Sequence, residues 1–138
     1  MSAALADTGF LVALFKHRER LNPQAKAYLT ANRHALLTVA PVIVETCFFL
    51  AAGEKRALLE WVRRGGIEVA EWPSSAYAQT EAIITKYADR DIDLADAALI
   101  WLALCSGNQS ILTVDRRDFA VYRLKANRGF DLIDWQHC

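Results

Sequence analysis

An α/β fold with a parallel sheet is predicted by two features of the chain. Short apolar runs alternate with segments of helical period, and no repeat or linker breaks the alternation. A third feature bears on what the fold carries. Four acids, Asp7, Glu45, Asp96 and Asp115, lie inside or at the edge of oily stretches: LADTGFLVAL, VIVETCFFL, LADAALIWLALC and ILTVDRRDF. An unpaired buried carboxylate is costly; it stays protonated or finds a cation. Four of them, spread along 138 residues, point to one convergent anionic pocket. Hard cations such as Mg2+ or Mn2+ favour oxygen ligands of this kind.

Taken in order, Ala3–Ala6 reads as a first strand running into Asp7-Thr8-Gly9 and a helix. Asn22–Ala31 reads as a second helix, with Asn22 as N-cap and Pro23 at the first helical position. Ala35–Thr38 is a strand, and Pro41 then opens a helix reaching about Ala52, closed by Gly53. Glu54–Arg64 is a further helix, stopped by Gly65-Gly66, and Ile67–Val69 is a short strand. Ser74 or Ser75 caps a helix to about Ala88. Asp93 caps another that runs to about Ser106, with Gly107 just beyond. That helix is apolar on nearly every side, so it is expected to be buried. Ile111–Val114 is a strand ending at Asp115, and Leu132–Ile133 forms a last edge strand.

The length suits a single domain with a substantial core. A hydrophobic content of 54% argues against disorder. Sixteen basic residues balance sixteen acidic ones. With no global basic field, a tight non-specific nucleic-acid binder is disfavoured, whereas an enzyme that handles nucleic acid briefly is not. Cys47, Cys105 and Cys138 share no C-x-x-C spacing. Two of them lie in apolar helical stretches and are expected as inert buried thiols in a reducing compartment. The start of the chain lacks a signal-peptide pattern. The longest apolar run, Ala97–Cys105, falls well short of the roughly 20 residues of a spanning helix. The expectation is a soluble cytoplasmic protein with no membrane partner.

This layout gives the acids a common address. Asp7 and Asp115 follow strand ends, Asp96 lies in the first turn of its helix, and Glu45 lies one turn into its own. Open parallel sheets bind ligands outside the carboxyl ends of their strands, where strand order reverses, and right-handed crossovers bring all four acids there. Each has a plainer reading alone: Asp7 as a helix cap, Asp96 as a carboxylate facing the helix dipole, Asp115 as a turn residue. Glu45 is hardest to explain that way, because Val42, Ile43, Val44, Cys47, Phe48, Phe49 and Leu50 leave little polar face. Two or three carboxylates hold Mg2+ together with a phosphate oxygen, and a remaining one can orient or deprotonate the attacking water. Asp118 either reaches such a metal through water or caps the turn DFAVYR, and the cap is preferred; Asp93 is read as a cap too. Thr8 and Thr113 can hydrogen-bond a metal-bound water, though capping and strand packing are preferred. His17, His34 and His137 show no ligand spacing, and Trp61, Trp72, Trp101 and Trp135 read as core or interface.

Four segments carry a family resemblance. DTGFLVAL at 7–14, VIVETCFFL at 42–50, DIDLADAALIWLA at 91–103 and ILTVDRRDFAVYR at 111–123 resemble the four acidic motifs of PIN-domain proteins, in that family's order. DTG alone is weak; LADA at 94–97 followed by LTVDRRDF at 112–119 is specific. Size and motif style resemble VapC-type toxins, the ribonuclease halves of bacterial toxin–antitoxin pairs. The resemblance implies a three-layer parallel α/β/α sandwich, with residues 1–138 as one PIN domain. It further implies an Mg2+- or Mn2+-dependent endoribonuclease whose metal-binding, catalytic acids are Asp7, Glu45, Asp96 and Asp115. An RNA substrate, a homodimer and an antitoxin laid into the active-site groove belong to the same expectation. Arg90, Arg116 and Arg117 are candidate RNA contacts near the rim, where cations would offset carboxylate–phosphate repulsion. The alternatives are a PIN nuclease of RNA processing with no antitoxin, or a non-catalytic module that keeps the pocket to dock a partner. An aspartyl phosphatase is disfavoured because Gly9 stands where its D-x-D motif needs a second acid.

Overall fold

The computed structural model describes residues 3–138. Its strands are β1 (Ala4–Ala6), β2 (Leu36–Val39), β3 (Glu68–Ala70), β4 (Ser110–Leu112) and β5 (Asp131–Leu132). They form one sheet in the order β3-β2-β1-β4-β5, with every pairing parallel. Central strands of such a sheet are covered on both faces and so read as continuous apolar runs. Accordingly, ALA of β1 and LLTV of β2 are buried throughout. The hydroxyl of Thr38, the one polar side chain among them, donates to the Ala6 carbonyl at 2.9 Å.

The helices are α1 (Thr8–Phe15), α2 (Asn22–Ala31), α3 (Ala40–Cys47), α4 (Ala52–Arg63), α5 (Tyr77–Lys86), α6 (Leu94–Ser106) and α7 (Arg116–Phe119). The chain steps outward from β1 to β2 and β3, then crosses back to β4 and β5, so strand order reverses between β1 and β4. Helix α1 packs on α2, α3 and α4, and α5 packs on α6, the grouping that right-handed crossovers on either side of the reversal lead one to expect for a three-layer fold. In α6, Asp93 accepts the Asp96 backbone N–H at 2.8 Å, and Gly107 ends the helix with φ 76°, a left-handed value that glycine adopts without a Cβ clash. Trp135 is fully buried, edge-on to Phe10 at 4.9 Å between ring centres, and its indole N–H donates to the Thr113 carbonyl at 3.1 Å. Among the described residues no helix is long and apolar enough to cross a membrane.

Several expectations are corrected. Asn22 does not cap its own helix: Leu21 holds that position, and the Asn22 side-chain amide donates to the carbonyls of Ala13 and Leu14, at 2.8 and 3.1 Å, at the end of α1. Helix α3 stops at Cys47 rather than near Ala52. The N–H groups of Phe48, Phe49 and Leu50 turn back to carbonyls three residues earlier, after a β-branched run with weak helix propensity. Gly53 therefore lies in the first turn of α4 and closes nothing. Ser74–Ala76 form a 3-10 turn, and neither serine side chain caps α5. Strand β4 ends at Leu112, so Asp115 sits three residues beyond it, at the head of α7. Cys105 and Cys138 are exposed and Cys47 is half-buried, so the expectation of buried thiols fails.

Candidate active site

The reversal point between β1 and β4 opens into a cavity of about 470 Å3 lined by Asp7, Glu45, Asp93, Asp96 and Asp115, the four sequence-predicted acids and a fifth. Asp7 arrives there because β1 ends on it and α1 starts after it. Its Oδ1 accepts the Thr8 N–H and its Oδ2 accepts the Thr113 hydroxyl, both at 2.7 Å. The same Thr113 oxygen accepts the Asp115 N–H at 2.9 Å, so one hydroxyl ties Asp7 to the start of α7. Asp96 reaches the cavity from the first turn of α6, and its Oδ2 accepts the Tyr122 hydroxyl at 2.9 Å. Glu45 comes from the last turn of α3, later in the helix than its spacing from Pro41 suggested. A carboxylate there opposes the helix dipole, so helix stability does not explain it.

Carboxylates of Asp96, Asp115 and Asp118 offer oxygens within 4.8 Å of one another. Burial pushes the Asp96 carboxyl up to about 8, with the charges of Asp7 and Asp93 adding to it and the Tyr122 hydrogen bond opposing. Burial also raises Asp7, to about 6, against the hydrogen bonds from Thr113 and Thr8. Asp115 is raised by burial and by sharing a hydrogen bond with Asp118. Asp118 is held low, chiefly by the Arg90 guanidinium at 2.8 Å. These raised carboxyls share their first cause, burial where water is scarce, and neighbouring negative charge adds to it.

Other candidates fall out differently. Asp93 both caps α6 and lines the cavity. Asp118 is not a cap; its carboxylate pairs with Arg90 while its backbone carbonyl accepts from Val121 and Tyr122. Arg90 is thereby engaged in an ion pair with Asp118 while its side chain stays 32% exposed. Arg116 donates to the Ile133 carbonyl at 3.3 Å, and neither Arg116 nor Arg117 lines the cavity. Thr8 lines it, and its buried hydroxyl oxygen has no hydrogen-bond partner. Sequence reasoning missed Tyr122, Lys16, Glu19 and Phe49, which the fold brings to the site or its walls. The position of Tyr122 just after DRRDF was a signal, but nothing in the spacing tells a hydroxyl aimed inward from one facing solvent.

With this geometry in place, comparison with known proteins gives a consistent picture. Residues 4–125 match the family model of the PIN domain. Ribonuclease VapC26 of Mycobacterium tuberculosis is 32% identical over 134 residues, covering 94% of this chain and 98% of that one. Among solved structures, Mycobacterium tuberculosis VapC20, described as a Sarcin-Ricin loop cleaving toxin, superposes with a TM-score of 0.67. That match has 19% identity and covers 80% of this chain and 87% of the other. A toxin–antitoxin complex from Klebsiella pneumoniae gives a TM-score of 0.57 at 20% identity, covering 96% and 97%. These two structures support the fold.

Proposed function

Because the chain belongs to the PIN-domain family, we propose that it is a metal-dependent endoribonuclease and the toxin of a toxin–antitoxin pair, with residues 1–138 acting as one catalytic domain. The observation that carries this reading is the convergence of Asp7, Glu45, Asp96 and Asp115 on one cavity at the strand-order reversal. The relative that matches nearly end to end supports it, being a VapC ribonuclease.

The residues fit a hard divalent cation. The donors are all oxygens, burial and then neighbouring negative charge raise the carboxyls of Asp7 and Asp96, and the Thr8 hydroxyl is an orphaned buried oxygen lining the same cavity. Asp96, Asp115 and Asp118, whose oxygens lie within 4.8 Å of one another, would hold Mg2+ or Mn2+, with Asp7 and Glu45 lining the adjoining cavity. When bound, the ion polarises the phosphodiester and lowers the pKa of a coordinated water. The protein's own residues do the rest. Thr113 and Tyr122 fix the orientation of Asp7 and Asp96 through short hydrogen bonds. Glu45, half-buried and free of a hydrogen-bond partner among the described residues, orients the attacking water or takes its proton. Thr8 and Asp93 complete the wall, and Arg116 and Arg117 meet the flanking RNA backbone outside it.

Incubation with RNA in Mg2+, in Mn2+ and in EDTA tests the reading. Cleavage with metal, none in EDTA, and a loss of at least about a hundredfold in Asp7→Asn and Asp96→Asn are expected. Cleavage that survives EDTA, or survives both substitutions, removes the metal mechanism.

Two assembly features belong to the same reading. A cytoplasmic antitoxin covering the acidic cavity belongs to this reading, and a toxin–antitoxin complex among the structural neighbours supports a partner of that kind. A homodimer would cover an apolar groove of about 400 Å3 beside it, where Phe48 is 79% exposed next to Val44, Trp72 and Leu94. Phe48→Glu is expected to give a monomer in sedimentation equilibrium while the parent chain sediments as a dimer.

A further inference from the structure

The cavity that gathers the acids also has an apolar wall, and the acids leave it unexplained. Phe49, 53% exposed, stands four residues after Glu45, and Val12, Leu21 and Val114 line the same space. The cavity is larger than an ion requires. At about 30 Å3 per water, a cation with six waters fills less than half of the 470 Å3. Its volume falls in the range of about 300–1,000 Å3 typical of organic ligand sites.

Charge makes the apolar wall necessary to the ribonuclease reading, on which this inference rests. Six acids, the five above and Glu19, line the cavity with Lys16 as the only cation among the described residues. Most RNA-binding surfaces take their affinity from cations on phosphates. Here that source is nearly absent and the local field repels the ligand. Beyond the divalent cation and the arginines outside the cavity, affinity within it is left to an uncharged part of the nucleotide, and the part that offers a large apolar face is the base. An aromatic ring stacks on any base whose face is free, whereas a base inside a duplex has both faces occupied. The Phe49 backbone N–H is bonded to the Thr46 carbonyl at 3.0 Å, so the ring is presented from a fixed turn rather than a floppy loop.

We propose that Phe49, backed by Val12, Leu21 and Val114, forms a subsite for one unpaired nucleobase next to the phosphodiester held at the acids. The subsite selects RNA whose bases are unstacked at the cleavage point and supplies binding that the acidic cavity cannot.

Binding separates this from catalysis. A short fluorescein-labelled RNA of fixed, mixed, unstructured sequence, alone or annealed to its complement, is titrated by anisotropy into Asp96→Asn protein. The same titration is run with Phe49→Ala, Phe49→Leu and Phe49→Trp added to that background. Phe49→Ala should weaken single-strand binding by about tenfold or more, the loss of one base–aromatic stack, and leave duplex binding unchanged. Phe49→Leu should behave like the alanine variant, and Phe49→Trp should match the parent. Unchanged single-strand binding in Phe49→Ala overturns the subsite, as does a leucine variant equal to the tryptophan variant. A Phe49→Ala chain that binds RNA normally but no longer dimerises, or no longer binds an antitoxin, also overturns it by assigning the ring to a protein contact. Failure of the wild-type protein to cut any RNA in Mg2+ would instead remove the ribonuclease reading, and that outcome is read independently.

Discussion

Asp96 shows how one residue carries opposed demands. Its carboxylate is buried near two other acids, and one phenol, that of Tyr122, holds it in place. Replacing Asp96 with asparagine keeps the shape and removes the charge, so in EDTA at pH 8 the variant is expected to melt several degrees above the parent while cutting no RNA. Tyr122→Phe deletes a single oxygen from a side chain that is only 1% exposed. Partners of metal ligands typically matter by about 10–100-fold in metal affinity, and a drop in that range is expected for Mn2+ binding by calorimetry. Asp7, Asp96 and Asp115 were legible as residues because a carboxylate in an oily run needs a reason to be there. Asp118 was not, since its role depends on the turn at 88–90 bringing Arg90 within 2.8 Å. Asn22 misled for a related reason: a side chain that caps its own helix and one that reaches back to the previous helix look identical in the sequence.

Among the elements, β4 and the turn after it set the geometry of the site. Gly9, in the first turn of α1, faces that turn so closely that an added Cβ would collide with a Val114 methyl. Gly9→Ala must push Val114 aside, with Asp115 as its neighbour. A loss of about 1–3 kcal/mol in urea unfolding and a raised metal requirement for cleavage are expected, as for other overpacked sites. Strand and helix identities were mostly recoverable from period and caps, because α6 has Asp93 at one end and Gly107 at the other. The end of α3 was not, because its residues remain apolar well past the last helical turn. The stop is marked by the three-residue backbone bonds of Phe48, Phe49 and Leu50 and by their packing: Leu50 is buried, and the two phenylalanines are exposed.

For the molecule as a whole, the carboxyl cluster sets how stability responds to pH. Asp7 and Asp96 titrate near 6 and 8 in the fold, against about 3.9 for an unfolded aspartate. The folded chain therefore holds more protons than the unfolded one between about pH 4 and pH 8. Stability is fully present below that window and declines as pH rises through it. Melting curves in EDTA should accordingly shift downward by several degrees from pH 5 to pH 8.5, and added Mg2+ should restore more at the upper pH than at the lower. A flat profile in EDTA would mean that the acids are not confined together. The neutral overall charge concealed this, since sixteen acids and sixteen bases cancel in a sum while six acids share one cavity.

The thread from Asp7 through Thr113 to Asp115, and from Asp96 to Tyr122, joins residues that leave the ribosome far apart in time. Synthesis proceeds at roughly 5–20 residues per second, so Tyr122 follows Asp7 by roughly 6 to 23 seconds. Until β4 emerges to pair with β1, Asp7 has no Thr113 to orient it and no Asp115 beside it. A nascent chain with this topology lacks its assembled acids until the segment carrying β4, α7 and Tyr122 has left the ribosome. Asp7, Asp96 and Asp115 therefore assemble together rather than one by one, and a segment made early waits on one made much later for its geometry.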